Sequence, residues 1–312
     1  MATELIGAKM LAPYYGTSLY VWSAVLGITL AGLALGYFLG GLVSVKKNVE
    51  KNLYYILLLS SIFLIAMPSL ANISIIQFVR FQLVESIMLS AIVILFPPVF
   101  CMGMVSPLIV TCVLKVKRSS ANIEANNNEQ AGKVTGTIYA ISTLGGILAT
   151  FLLGFYIIPT FGLTQPAIYI GLLLGVIPFY MLVTSKQFVS FLFPLVIFFA
   201  FTGSKPVSFG EQIKIHYTSE GVLGQIIVAD YPLYESETII GSQRILFVNR
   251  STQTIVTKIN GQENHFEYVN LIKEKTADRS KYKNALILGL GGGSLANELS
   301  RNLIAVEAVE LD

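Results

Sequence analysis

Long apolar segments are the feature of this sequence that most restricts its fold. A helix needs about 20 mainly apolar residues to cross a hydrocarbon core roughly 30 Å thick. The third segment contains Pro97-Pro98, which predicts a kink or an interruption, and the sixth is short. The sequence therefore predicts a polytopic, α-helical membrane domain of about six helices over residues 1–202. We place its apolar segments near 17–43, 53–70, 83–114, 134–158, 165–184 and 187–202.

Charged residues are concentrated after these segments. Residues 1–202 contain ten Lys or Arg and five Asp or Glu, whereas residues 203–312 contain eleven and thirteen. The charged fraction of the whole chain is 12%, against about 25% in soluble domains. We therefore expect an integral protein of the inner or plasma membrane, with the lipid bilayer as a partner and a soluble portion after residue 202.

The composition also argues against several classes of site. Two cysteines, Cys101 and Cys112, lie in apolar surroundings and are too few for a disulfide framework or a zinc centre. Two histidines, His216 and His265, are too few for a histidine-rich metal centre. The sequence has no long basic run of the kind that binds nucleic acid. We expect neither a metal nor a nucleic-acid partner.

Three loops carry eight of the ten Lys and Arg residues of the membrane domain, and the positive-inside rule places such loops in the cytoplasm. Six complete spans would put residues 203–312 on the opposite side. We nevertheless expect the soluble domain to be cytoplasmic. This orientation requires that the sixth segment does not cross the membrane, or that the third segment does not make the single crossing assumed for it. The loop residues are Lys46, Lys47, Lys51, Lys115, Lys117, Arg118, Lys133 and Lys186.

Two glycine patterns lie within the apolar segments. Gly32, Gly36 and Gly40 share one helix face, which favours close helix packing over a substrate path. A similar pattern of Gly146, Thr150 and Gly154 occurs in the fourth segment. Glu85 is an acid near an apolar core, and its place near a segment end favours contact with headgroups over ion handling.

From about residue 211 the apolar residues alternate with polar ones, as in strands with one buried face. Turn residues such as Glu220-Gly221 and Asn260-Gly261 separate these runs. We predict a small antiparallel sheet within residues 203–278, followed by a helix from about His265 to Lys275.

Residues 279–312 contain the most informative pattern in the chain. A buried strand from Ala285 runs into Gly289, Gly291 and Gly293; a helix then begins at Ser294, and a second strand ends near Glu310. This order is that of the first β-α-β of a doubly wound, Rossmann-like domain. The glycines allow close approach of a ligand, and the acid can accept hydrogen bonds from ribose hydroxyls.

The glycine spacing favours one nucleoside class. A Gly-x-Gly-x-Gly loop directly after the strand is typical of S-adenosylmethionine sites. A dinucleotide loop has the spacing G-x-G-x-x-G/A, which Gly291, Gly293 and Ala296 supply two residues late. A glycine-rich turn that binds nothing is the third interpretation.

These residues resemble the spermidine synthase family, specifically its membrane-anchored, fused members. The resemblance covers nearly the whole chain. It includes Leu11–Trp22 and Leu33–Gly41 in the first apolar stretch, the run from Gly136 to Pro159, the strand with Gln253, and the glycine loop with Val309-Glu310-Leu311-Asp312. The match to soluble synthases is weaker.

The resemblance implies a transferase of polyamine biosynthesis type that binds S-adenosylmethionine or decarboxylated S-adenosylmethionine as co-substrate. Aminopropyl or methyl transfer to a small-molecule acceptor such as an amine would follow. Gly289, Gly291, Gly293 and Glu310 would contact the nucleoside. Gln253 matches a glutamine of the cofactor site, and Tyr268 a tyrosine near the amine.

Several positions depart from the synthase pattern. The acid inside the glycine loop is replaced by Gly292, the Gln-Glu after the tyrosine by Val269-Asn270, and the usual Asp by Asn249. The family's catalytic Asp is expected beyond Asp312. We therefore expect a chain truncated within the nucleoside-binding domain and unable to complete an active site alone.

Two other functions compete with the transferase. The carboxyl-terminal part could sense a nucleoside without turnover, within a membrane transport or scaffold protein. Alternatively, the glycine loop could bind a nicotinamide dinucleotide in a membrane oxidoreductase. A catalytic Asp beside the sulfonium position would favour the transferase, and preferential dinucleotide binding would exclude it. Oligomeric state and acceptor identity are not indicated by the sequence.

Overall fold

A computed structural model describes residues 1–78, 80–120, 127–187, 192–203, 213–221, 224–235, 238–249, 251–259, 262–278 and 281–310. The chain divides into two compact units, Met1–Lys205 and Pro206–Asp312. We describe each unit separately and refer to them as the amino-terminal and carboxyl-terminal units.

The amino-terminal unit is helical. Within its described residues, five helical stretches are long and apolar enough to cross a bilayer, with bounds Leu19–Ser44, Val49–Phe78, Leu83–Lys117, Ala131–Phe161 and Thr164–Thr184. The expectation of an α-helical membrane region is thus confirmed. Its helices are α1 (Ala2–Tyr15), α2 (Leu19–Ser44), α3 (Val49–Phe78), α4 (Leu83–Ser120), α5 (Asn127–Leu152), α6 (Ile158–Phe161), α7 (Thr164–Thr184) and α8 (Leu192–Gly203).

Three details differ from the sequence prediction. Of the sixth apolar segment, the described helix α8 has 12 residues and extends about 18 Å, whereas a bilayer core is roughly 30 Å thick. Helix α4 continues through Pro97, Pro98 and Pro107 without a break in the helix assignment. Helix α1 is not predicted from the sequence, and a π-helical segment, Leu153–Ile157, joins α5 to α6.

The glycines of α2 permit close packing against α4. A Cβ on Gly36 would lie 2.5 Å from the Phe100 carbonyl oxygen, and one on Gly40 would lie 2.7 Å from the Met104 Cα. Gly103 of α4 meets Leu33 of α2 in the same way. This arrangement supports packing as the role of the Gly32, Gly36 and Gly40 pattern.

The second glycine pattern contacts neighbouring side chains, and Glu85 lies at the end of a helix. On α5, Gly146 faces the Met1 side chain, and the Thr150 hydroxyl donates to the Gly146 carbonyl oxygen at 2.8 Å. Gly154, in the π-helical segment, faces Leu5. Glu85 is exposed in the first turn of α4, as expected for an acid at a helix end.

The carboxyl-terminal unit begins with the predicted antiparallel sheet, of strand order β1-β2-β3-β4-β5. Alternation of apolar and polar residues buries one side of β2 and β3 through Ile227, Ala229 and Ile245. The strands are β1 (Lys214–Gly221), β2 (Gly224–Glu235), β3 (Thr238–Val248), β4 (Ser251–Ile259) and β5 (Gln262–His265).

Helix α9 (Glu267–Lys275) follows the sheet, and the predicted strand, loop, helix and strand follow α9. Strand β6 (Asn284–Leu288) pairs in parallel with β7 (Ala305–Val309), and α10 (Ser294–Arg301) connects them. Among the described residues, the part of the chain after α9 forms one parallel pair of strands. A complete doubly wound domain stays an expectation.

Candidate functional site

The glycine loop between β6 and α10 adopts a conformation that requires glycine. Gly289, Gly291 and Gly293 have φ values of 89°, 55° and 73°, in the left-handed region that disfavours a Cβ. The Gly289 N–H donates to the Val309 carbonyl oxygen at 2.8 Å, which holds the start of the loop against β7. The left-handed glycines and this hydrogen bond to β7 therefore fix the path of the loop backbone.

Glu310 closes the loop from the end of β7. Its Oε2 accepts hydrogen bonds from the Leu290 N–H and, at 3.0 Å, from the Gly291 N–H. The acid thus lies in direct contact with the glycine loop, a contact that the sequence pattern does not predict. A carboxylate has about four lone-pair sites, so it can accept ribose hydroxyls as well as these two amides.

The loop also rests on the antiparallel sheet. The Gly292 N–H donates to Thr254 Oγ1 at 2.9 Å, and a Cβ on Gly292 would lie 2.8 Å from the Thr254 side chain. The glycine at this position, where the synthase pattern has an acid, therefore allows the loop to touch β4.

Gln253 precedes this contact and lies at an irregularity in β4. Leu246 pairs with Thr254 and Phe247 with Thr252, so Gln253 is the extra residue of a β-bulge. Its side chain is exposed. Gln253 is therefore the neighbour in sequence of Thr254, whose hydroxyl binds the glycine loop.

Tyr268 is not joined to this group. It lies in the first turn of α9, is 52% exposed, and its ring stacks on Phe266 at 6.1 Å between centroids. Within the described part of the chain, no hydrogen bond links Tyr268 to the glycine loop. The catalytic Asp is expected beyond Asp312, which itself lies outside the described residues.

The other departures from the synthase pattern have local structural explanations. Asn249 has a φ of 51°, which Asn tolerates better than most residues, and its Oδ1 accepts from the Gln225 N–H at 3.1 Å. Val269 is 1% exposed, and the Asn270 side chain donates to the His265 carbonyl oxygen at 3.2 Å.

A cleft of about 320 Å³ lies beside the glycine loop, and we call it the polar cleft. Its floor is one face of the antiparallel sheet, since the lining residues of neighbouring strands pair directly: Asp230 with Arg244, Ser242 with Lys258, and Val256 with His265. Its wall is the end of the loop and the start of α10. The lining residues are Asp230, Ser242, Arg244, Val256, Lys258, Glu263, His265, Gly292, Gly293, Ser294 and Asn297.

Strong ion pairs fix the charged residues of the cleft floor. Arg244 donates twice to Asp230, from Nε at 2.7 Å and from Nη2 at 2.8 Å, and His216 lies 2.7 Å from the same carboxylate. The Arg244 hydrogen bond, aided by His216, holds the pKa of Asp230 at about 2. Hydrogen bonds from Lys258 and Arg301 likewise lower the pKa of Glu263 to about 2.

A second cluster joins the sheet to α9 and α10 through Glu298, which is 1% exposed. Arg301 Nη1 and Lys273 Nζ each lie 2.7 Å from its carboxylate, and His265 Nε2 lies 3.4 Å away. Burial acts to raise the pKa of Glu298, but these two cations outweigh it and the pKa lies below its usual value. The sequence does not predict this cluster, and its one local signal is the i,i+3 spacing of Glu298 and Arg301.

Potential metal-ligand atoms of Glu263, His265 and Glu298 lie within 4.8 Å of one another. However, both carboxylates already pair with Lys258, Lys273 and Arg301. Three cations around two acids repel a further cation, so the arrangement favours an ion-pair network that supports the cleft over metal coordination.

No family model, no curated protein and no solved structure matches this chain. The function is therefore argued from the geometry of the glycine loop, Glu310 and the polar cleft.

Proposed function

We propose that the chain is a membrane-bound, spermidine synthase-like transferase. Its carboxyl-terminal unit binds S-adenosylmethionine or decarboxylated S-adenosylmethionine through the start of a Rossmann-like domain. The observation that carries this proposal is the contact of Glu310 with the amides of Leu290 and Gly291 in a loop of left-handed glycines.

The loop has room for a ligand. A Cβ on Gly289 or Gly293 would meet nothing within 4 Å, so the backbone there borders open space. Glu310 would hold the ribose, while Gly289, Gly291 and Gly293 would border the methionine-derived end. Gln253 would approach from the bulge of β4, and Tyr268 would belong to the acceptor side.

The proposed reaction places few demands on the protein. The acceptor nucleophile forms a bond to a carbon beside the sulfonium, and the C–S bond breaks with its electron pair passing to sulfur. A neutral thioether leaves, and an amine acceptor passes its proton to a base. Because the sulfonium is already a good leaving group, positioning of the two reactants supplies most of the catalysis.

A cytoplasmic carboxyl-terminal unit is part of this proposal. With five spans, the loop after α2, the loop between α4 and α5, and the chain after α7 all lie on one side of the membrane. Lys46 follows α2 and Lys186 follows α7, while Lys133 lies near the start of α5, close in sequence to the loop between α4 and α5. The positive-inside rule then places the carboxyl-terminal unit where the nucleoside is made.

Equilibrium dialysis of the full chain in detergent micelles tests the proposal. We expect saturable binding of S-adenosylmethionine that excess NAD does not displace. Gly291→Val should abolish binding, because it adds a side chain at a left-handed position in the loop. Gln253→Ala, which leaves the loop backbone unchanged, should weaken binding.

Full retention of binding in Gly291→Val would show that the loop does not touch the ligand. Displacement by NAD would instead favour the oxidoreductase.

A further inference from the structure

The polar cleft continues directly from the glycine loop. Thr254, Val256 and Lys258 occupy alternate positions of β4 and so share one face of the sheet. Thr254 holds the Gly292 amide, while Val256 and Lys258 line the cleft. A ligand bound at the loop can therefore extend into the cleft along the sheet.

The wall of the cleft offers hydrogen-bond donors. Helix α10 starts at Ser294 with Gly293 as N-cap and has no side-chain cap, and first-turn amides have no partner within a helix. Ser294 is 7% exposed, and its hydroxyl makes no hydrogen bond in the described part of the chain. A buried hydroxyl without a partner is costly, and an anionic ligand group would satisfy it.

The floor of the cleft carries both signs of charge. Arg244 and Lys258 supply two positive charges, and Asp230 and Glu263 supply two negative ones. Arg has five N–H donors, and Asp230 accepts from the Nε and Nη2 atoms. Such a lining matches a zwitterionic group better than a purely cationic or purely anionic one.

We infer that the polar cleft binds the zwitterionic methionine-derived end of S-adenosylmethionine, and this inference rests on the proposed function. The carboxylate lies toward the start of α10, the Ser294 hydroxyl and the two cations. The ammonium lies toward Asp230, whose two carboxylate oxygens can accept further hydrogen bonds. Decarboxylated S-adenosylmethionine keeps the ammonium but has no group for α10 and Ser294, so the carboxylated nucleoside is the ligand.

Binding constants of three nucleosides to the full chain in detergent micelles test this assignment. The probes are S-adenosylmethionine, its decarboxylated form and 5′-methylthioadenosine, which lacks the amino-acid end. We expect the first to bind at least about 10-fold more tightly than the second, the scale of one charge-assisted hydrogen bond.

Ser294→Ala removes the buried hydroxyl without adding volume. It should weaken S-adenosylmethionine binding by about 2- to 10-fold and leave decarboxylated S-adenosylmethionine unaffected. Ser300→Ala is the matched control, because Ser300 is exposed near the other end of α10. That variant should change neither affinity.

Equal affinity for the carboxylated and decarboxylated nucleosides would overturn the inference alone and leave the nucleoside site standing. The same result is expected if the cleft binds a carboxylate of the acceptor instead. Failure of all three nucleosides to bind would overturn the proposed function and this inference together.

Discussion

At the scale of single residues, Glu310 is the side chain on which the proposed nucleoside site most depends. Glu310→Gln removes the charge that attracts ribose hydroxyls and loop amides. Nucleoside binding should weaken by about 1–3 kcal/mol, the scale for losing a charged hydrogen-bond partner. Calorimetric titration of S-adenosylmethionine measures this change. Glu307→Gln, at an exposed position of β7, is the control and should bind normally. An unchanged affinity in Glu310→Gln would refute the ribose assignment.

Asp230 gives the carboxyl-terminal unit a predictable response to acid. Since its folded-state pKa is about 2, below the usual 3.8, the folded state binds fewer protons than the unfolded chain at moderately acidic pH. The stability that this carboxylate contributes is therefore present above about pH 4 and is lost as the pH falls toward 2.

Unfolding midpoints of the wild type and Asp230→Asn, measured from pH 6 down to pH 3, test that response. We expect the wild type to be more stable at pH 6 and the difference to shrink toward pH 3. A difference that stays constant over this range would mean that the ion pair with Arg244 does not stabilise the fold.

At the scale of elements, the contact of α2 with α4 depends on glycine at particular turns. Gly36→Ala should destabilise the helical region, because the added Cβ would lie 2.5 Å from the Phe100 carbonyl oxygen and 2.9 Å from the Gly103 Cα. Both neighbours are backbone atoms and cannot rotate away. Overpacking of this kind costs about 1–3 kcal/mol.

Gly41→Ala is the matched control on the same helix, because a Cβ there meets nothing within 4 Å. Unfolding of both variants in mixed micelles, followed by circular dichroism, should show a loss for Gly36→Ala alone. Equal behaviour of the two would mean that α2 and α4 do not pack through this face.

The elements show how far a sequence can predict this fold. Apolar length predicts the spanning helices, and alternation predicts the antiparallel sheet, since both are local properties. Helix α1 escapes prediction because Glu4, Lys9 and Pro13 interrupt its apolar residues. The contact of Gly292 with Thr254, 38 residues apart, and the burial of Glu298 are set by tertiary packing, which no local pattern contains.

At the scale of the whole molecule, the account predicts which side of the membrane each segment occupies. After replacement of Cys101 and Cys112 by Ala, single cysteines can be introduced by Lys46→Cys, Lys281→Cys and Gln82→Cys. An impermeant maleimide should label the first two only in inverted vesicles, and the third only in right-side-out vesicles. Labelling of the Lys281→Cys variant together with the Gln82→Cys variant would contradict a cytoplasmic carboxyl-terminal unit.

The central claim is that the glycine loop holds an S-adenosylmethionine-type nucleoside, and photo-cross-linking tests it most directly. Radiolabelled S-adenosylmethionine is irradiated with the full chain in micelles, and tryptic peptides are mapped. The account predicts that the label lies in the peptide from Asn284 to Arg301, which contains the loop, and that excess unlabelled nucleoside prevents labelling. Label confined to peptides of residues 1–205, or label that excess nucleoside does not reduce, would contradict it.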